Sequence, residues 1–175
     1  LLGDKGRVIM LRYMVGSAST EAREQGFLDA IGQHPGIELA SENQYAGATA
    51  QTALEKAGSL LSSLKDAQID GIYCPNESST FGMLLALQER AMAGKVKFIG
   101  FDASAKLVEA LAAGQIDGLV VQNPFKMGYE GVKAAVAALD GKPVEPRIDT
   151  GVAVVTRDNL SQPEIDALIH PPLDQ

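Results

Sequence analysis

"GIYCPNESSTFG", residues 71–82, joins an apolar run to a polar pair and then to a helix-like pattern. The run closes at Cys74 and Pro75, the polar pair is Asn76 and Glu77, and apolar residues then recur at helical spacing. A short apolar run between turn signals suits a strand buried in a parallel sheet. Asn76 or Ser78 is placed to cap the helix that follows, and Asn76 is equally placed to reach a ligand.

The same unit recurs along the chain. Short β-branched or apolar runs are "RVIML" (7–11), "IELAS" (37–41), "GIYC" (71–74), "VKFIGF" (96–101) and "DGLVV" (117–121). Between them lie segments of helical period. Residues 19–33 carry a stripe of Ala22, Phe27, Ala30 and Ile31, and residues 48–65 one of Ala50, Ala53, Leu54, Ala57, Leu60, Leu61 and Leu64. Residues 78–92 repeat the pattern with Phe81, Leu84, Leu85, Leu87 and Met92, and a shorter helix from Ser104 to Ala113 stops at Gly114. This alternation predicts an α/β domain: a doubly wound, flavodoxin-like parallel sheet with helices on both faces. After Gln122 the pattern changes. "NPFKMGYEGVKAAVAALDG" predicts a helix with Pro124 in its first turn and a stripe of Phe125, Tyr129, Val132, Val136 and Leu139. An extended run within 142–156, a short helix "QPEIDALI" and the Pro-rich end "HPPLDQ" complete the chain.

Composition narrows the function. The chain has 175 residues, 46% hydrophobic and 5% aromatic with no Trp, so its core is expected to be mostly Val, Ile, Leu and Ala. A net charge of −7, with scattered basic residues, opposes nucleic-acid binding, which needs Lys and Arg to displace counterions. The single cysteine, Cys74, reads as a small buried hydrophobe, and the two histidines, His34 and His170, as loop residues beside prolines. There is no G-x-G-x-x-G after a strand, no P-loop, no G-x-S-x-G and no metal-ligand spacing of His or Cys, so no cofactor is expected. Glu21 and Glu24 read as carboxylates on the outer side of a charged helix. No apolar run approaches the length of a membrane span. With no initiator Met and no visible signal sequence, the stretch is expected to be a piece of a longer chain.

In doubly wound sheets ligands bind beyond the carboxyl ends of the strands. Those ends offer Asn76, Asp102 and Gln122, with Tyr45 after the second strand and Arg23 one turn into the first helix. Amides, a carboxylate, a guanidinium and aromatic faces together suit a neutral polyol, because hydroxyls need both donors and acceptors. Each residue also has a structural reading: Asn76 and Ser104 as helix caps, Arg23 as a solvated helix residue, Tyr45 as a lid on the core edge, and Gln122 and Asn123 as turn residues.

"STEAREQGF", "QYAGATAQTALEKAGSLL", "DGIYCPNESSTFGMLLAL", "VKFIGFDAS" and "VVQNPFKMGYEGVKA" together resemble, in order, the C-terminal lobe of type I periplasmic sugar-binding proteins of ABC transporters, the ribose-binding class. The resemblance covers nearly the whole chain. It rests on R-x-x-G-F, an N-E step after a strand, G-F-D, and a Q-N-P step opening a helix. It implies ligand contacts at Arg23, Asn76, Asp102 and Gln122, with Phe101 and Tyr45 as aromatic walls. It further implies that residues 1–122 form one lobe, that 123–143 is a helix packing on an N-terminal lobe absent here, and that 144–175 cross back. The implied partners are a monosaccharide (pentose or hexose), an ABC permease in the membrane, and the missing lobe or a second copy of the chain. The implied location is periplasmic, or extracellular as an anchored lipoprotein. The effector-binding core of a lac-repressor-type regulator shares this fold but usually departs at the Q-x-P-x-x-x-G step. An enzyme on a flavodoxin-like sheet is the third reading.

Overall fold

The computed structural model describes residues 1–171, so the last four residues of the Pro-rich end lie outside the described residues. The elements in chain order are β1 (Gly6–Arg12), α1 (Ala18–Ile31), β2 (Ile37–Tyr45), α2 (Ala50–Ser63), β3 (Gly71–Tyr73), α3 (Glu77–Glu89), β4 (Lys97–Phe101), α4 (Ala105–Ala112), β5 (Gly118–Gln122), α5 (Pro124–Leu139), β6 (Val152–Val155) and α6 (Pro163–Ile169). The strands form one sheet in the order β2-β1-β3-β4-β5-β6. The first five run parallel, and β6 pairs antiparallel with β5. The winding reverses after β2. Right-handed crossovers therefore put α1 on one face and α2, α3 and α4 on the other.

Strand residues alternate between those faces. Ile9, Leu11, Phe98 and Leu119 join one cluster with Ala53, Ala57, Leu60, Met83, Leu84, Leu87 and Leu107 from α2–α4. Two close approaches hold this face together. A Cβ on Gly82 would sit 2.4 Å from the Ala53 Cβ, so glycine lets α3 lie directly on α2. A Cβ on Gly100 would sit 2.2 Å from Thr80 Cγ2, so glycine lets α3 seat its Thr80 against β4. On the other face Phe27 of α1 stacks on Tyr73 of β3, with ring centroids 4.5 Å apart. Burial there pushes the Tyr73 hydroxyl up to about 12. Beside α1, at the amino ends of the strands, an apolar groove of about 440 Å³ is lined by Leu2, Val8, Phe27, Ile31 and Ile99 among others.

The structure departs from the sequence reading in places. β2 runs on to Tyr45 instead of stopping near Ser41, because Arg12 at the end of β1 pairs with Tyr45 across two register shifts. Glu42, Asn43 and Gln44 are tolerated in a strand because β2 is the sheet edge. The stripe read along α1 holds only in part: Phe27 and Ile31 are half-buried on the sheet side. Ala22 and Ala30 are exposed, whereas Thr20 and Glu24 are the buried residues of that helix.

Helix α5 has the Pro124 start and 16-residue length its sequence implies, yet it buries none of its residues. Its stripe lies open to solvent: Phe125 is 52% exposed, Tyr129 57%, Val132 66%, Val136 52% and Leu139 89%.

Candidate functional site

The carboxyl ends of β1, β3, β4 and β5 converge on one edge of the sheet. The α3 start is built there first. Asn76 caps the helix, its Oδ1 accepting from Ser79 N at 3.3 Å and its Nδ2 donating to Ser78 Oγ at 3.0 Å. The cap reading of Asn76 therefore holds, and one Nδ2 hydrogen remains for anything beyond it. Thr80, fully buried, donates from Oγ1 to Asn76 O at 2.7 Å and accepts from Phe101 N at 3.0 Å. One hydroxyl thus ties the α3 start to the end of β4.

Asp102 follows Phe101 with a φ of 70°, in the left-handed region that Asp tolerates better than most residues. Its own N–H donates to Val120 O at 2.9 Å, and its Oδ2 accepts from Glu77 N at 3.1 Å. The carboxyl is pushed above the usual carboxylate range. Burial raises it more than the Arg23 charge and the Glu77 N–H lower it. Ser104 does not cap α4 through its side chain; its Oγ donates instead to Glu77 Oε1 at 3.3 Å.

Arg23 reaches across from α1. Its NH1 donates to Pro75 O at 3.0 Å and its NH2 to Gln122 Oε1 at 2.6 Å. Its guanidinium lies over the Phe101 ring, 3.8 Å from the centroid. Arg23, Phe101 and Gln122 are therefore in direct contact, with Asp102 beside them. The solvated-helix reading of Arg23 fails, because its guanidinium is spent on the sheet edge. Two of the five guanidinium donors are used in these bonds. Gln122 ends β5, and Asn123 caps α5 by accepting from Lys126 N at 2.9 Å.

Tyr45 stands apart from this group. It is half-buried at the end of β2, and its ring lies 5.1 Å from the Arg12 guanidinium carbon. Arg12 itself was not a candidate from sequence, nor was its partner. Glu24 is 1% exposed and faces the sheet, so the outer-face reading of this carboxylate is corrected. Its Oε2 accepts from Arg12 Nε at 2.7 Å and its Oε1 from Tyr13 N at 3.0 Å. Burial would lower the Arg12 pKa, but the Glu24 hydrogen bond and charge outweigh it and hold the guanidinium above its usual value. A buried carboxylate needs such pairing, and the arginine at the end of the preceding strand was the available signal. Glu21 stays exposed and accepts from Gly16 N at 2.8 Å.

Other chemistry-bearing residues lie elsewhere. Cys74 is fully buried, and burial pushes its thiol well up. His34 pairs with Asp4 at 3.0 Å and His170 with Asp166 at 2.9 Å, both at the surface. Among the described residues no cluster of His, Cys, Asp and Glu could hold a metal ion. Among them, too, no helix is long and apolar enough to cross a membrane.

Comparison with known proteins gives this fold a family. Residues 1–143 match the family model described as a periplasmic binding protein domain. The ribose import binding protein RbsB of Haemophilus influenzae is 32% identical over 155 residues, covering 89% of this chain and 51% of that protein. The D-allose-binding periplasmic protein of Escherichia coli is 32% identical over 133 residues, covering 76% of this chain and 42% of that protein. The crystal structure of a carbohydrate transporter solute-binding protein from Agrobacterium radiobacter, in complex with D-arabinose, superposes with a TM-score of 0.88 at 38% identity. That match covers 94% of this chain and 55% of the other. The chain thus spans about half the length of the relatives it matches.

Proposed function

This chain belongs to the periplasmic binding protein domain family, and from that membership we propose that it is one lobe of the solute-binding component of an ABC sugar importer. Residues 1–122 are the C-terminal lobe. The helix within 123–143 packs on an N-terminal lobe, or on a second copy of this chain in its place, and 144–175 return. Two observations support the division: the chain spans about half of its relatives, and α5 buries none of its residues. The bound solute is a monosaccharide, pentose or hexose, held between the lobes, and this chain supplies about half of its contacts.

The arrangement of Arg23 over Phe101, beside Gln122 and Asp102, is the observation that carries the reading. Stacking on Phe101 and the bonds to Pro75 O and Gln122 fix the guanidinium before any ligand arrives. Its remaining donors and the Asp102 carboxylate hold ring or anomeric hydroxyls through charge-assisted bonds. Asn76 and Gln122 serve other hydroxyls, and Phe101 and Tyr45 are the aromatic walls. The site binds and releases without a catalytic step. Hinge closure buries the sugar, and the ligand favours the closed form because only that form brings both lobes' contacts to it. A membrane permease reads the closed form in the periplasm, or outside the cell if the protein is a membrane-anchored lipoprotein. The regulator reading draws no comparable support, since the relatives above are named as import or periplasmic binding proteins.

The test is calorimetry with ribose, D-allose and D-arabinose on the two-lobe protein and on this 175-residue chain. The two-lobe protein is expected to bind at least one of these sugars about 100-fold or more tightly than the single lobe, a difference of about 2.8 kcal/mol. Sub-micromolar binding by the monomeric 175-residue chain overturns the half-site reading. A two-lobe protein that binds none of the three sugars overturns the function.

A further inference from the structure

Glu24 is the most deeply buried charged group in the described residues, and nothing in the sugar-binding reading uses it. Both of its oxygens are engaged at the carboxyl end of β1, one by the Arg12 Nε and the other by the Tyr13 backbone N–H. It is the residue next to Arg23 in α1. Two attachments of α1 to the sheet therefore follow Arg23 in the helix: the Glu24 carboxylate next to it, and the Phe27–Tyr73 stack one turn on. Ser17, at the N-cap of α1, makes no side-chain cap bond. Glu24 supplies the side-chain hydrogen bonds that tie the first turns of α1 to the end of β1.

We propose that Glu24 is a positioning residue for the sugar site: locked by Arg12 and Tyr13 N, it sets the height and rotation of α1 at which Arg23 can lie on Phe101 and meet Gln122. The inference rests on the reading of Arg23 as a ligand contact. A neutral amide of the same shape would turn its NH2 toward one of the two donors, the Arg12 Nε–H or the Tyr13 N–H, whichever way it is flipped. The helix would lose one of the two bonds that seat its first turns. Arg23 would keep its chemistry but lose its alignment, and small misplacements of a polar contact weaken it steeply.

A double-mutant cycle in the two-lobe protein tests this. Glu24→Gln, Arg23→Ala and the double variant are compared for affinity toward whichever of ribose, D-allose and D-arabinose binds the wild type most tightly, with ligand-observed NMR for weak binding. Each Tm is also recorded. Glu24→Gln is expected to weaken binding about tenfold or more when Arg23 is present, and less than about twofold when it is Ala, while lowering Tm equally in both backgrounds. Equal loss of affinity in both backgrounds overturns the proposal, because Glu24 would then be structural only. No loss in either also overturns it. Arg23→Ala with undiminished affinity overturns the sugar-site reading instead. Should Glu24→Gln fail to fold, Arg12→Lys, which keeps the charge but loses the Nε donor, is carried through the same cycle and read by the same outcomes.

Discussion

In this 175-residue chain alone, α5 should open far more readily than any other long helix. Its stripe leaves 52–89% of Phe125, Tyr129, Val132, Val136 and Leu139 in water, and no residue of the helix is buried. Full burial of an apolar side chain is worth about 1.5–3 kcal/mol, so covering the exposed parts of these five would contribute roughly 5–9 kcal/mol. That is what α5 lacks here. An isolated helix of this length is marginal in water, and its support is local: the Asn123 cap, the Pro124 start, the Phe125–Tyr129 stack and the Glu130–Lys133 pair. Its amides should therefore show local opening energies below about 1.4 kcal/mol, a protection of tenfold or less. The amides of α2 and α3, packed on the sheet, should approach the global value. Native-state hydrogen exchange on the monomeric chain measures this, and the same experiment on the two-lobe protein should show α5 protected. The reasoning fails if α5 in the monomer is protected as strongly as α2 and α3. It also fails if α5 exchanges equally fast in both proteins.

Further outcomes follow from the site. Asp102 ionises above its unperturbed value of 3.8, so the folded state holds the proton longer and stability is lost as the pH rises through the folded value. Asp102→Asn should accordingly raise Tm at pH 7 by more than at pH 4, while weakening sugar binding by about 1.5–3 kcal/mol through the lost charge-assisted bond; a Tm below wild type across that range would refute the electrostatic account. Gly100→Ala drives a Cβ into Thr80 Cγ2, an overpacking of about 1–3 kcal/mol that should lower Tm by roughly 2–4 °C per kcal/mol. Calorimetry on the same variant should find weaker sugar binding, since Thr80 holds both Asn76 and Phe101. Cys74, buried and with its thiol pushed up, should react with a thiol reagent no faster than the chain unfolds; rapid labelling at pH 8 of the folded protein would contradict its placement.

The architecture is readable because parallel strands buried on both faces leave short apolar runs, and α2 and α4 keep a clear helical period. β2 was cut short because an edge strand can be polar, so hydrophobic pattern loses it between Ser41 and Tyr45. Along α1 the period misled for a different reason. Its buried positions are Thr20 and Glu24, and a carboxylate on an inner face looks like one on an outer face until its partner is found. That partner, Arg12, lies across the turn from β1 to α1. Asn76, Phe101, Asp102 and Gln122 share one edge because they close or follow neighbouring strands, and Arg23 reaches that edge from α1. What sequence could not supply is the order within the group: Arg23 laid flat on Phe101, Asn76 turned back to its own helix, and Tyr45 on a separate neighbour.

The Thr80 hydroxyl has a consequence for changing which sugar is held. It couples Asn76 and Phe101 through a single buried oxygen, and Arg23 and Gln122 lean on the same block. A substitution at any one of these disturbs its neighbours, so ligand preference cannot be retuned there one position at a time. Tyr45 sits outside that interlock on an edge strand, its ring 5.1 Å from the carbon of the Arg12 guanidinium that Glu24 holds. Selection for a new pentose or hexose should begin at that residue, with replacements that leave the Arg12–Glu24 pair in place.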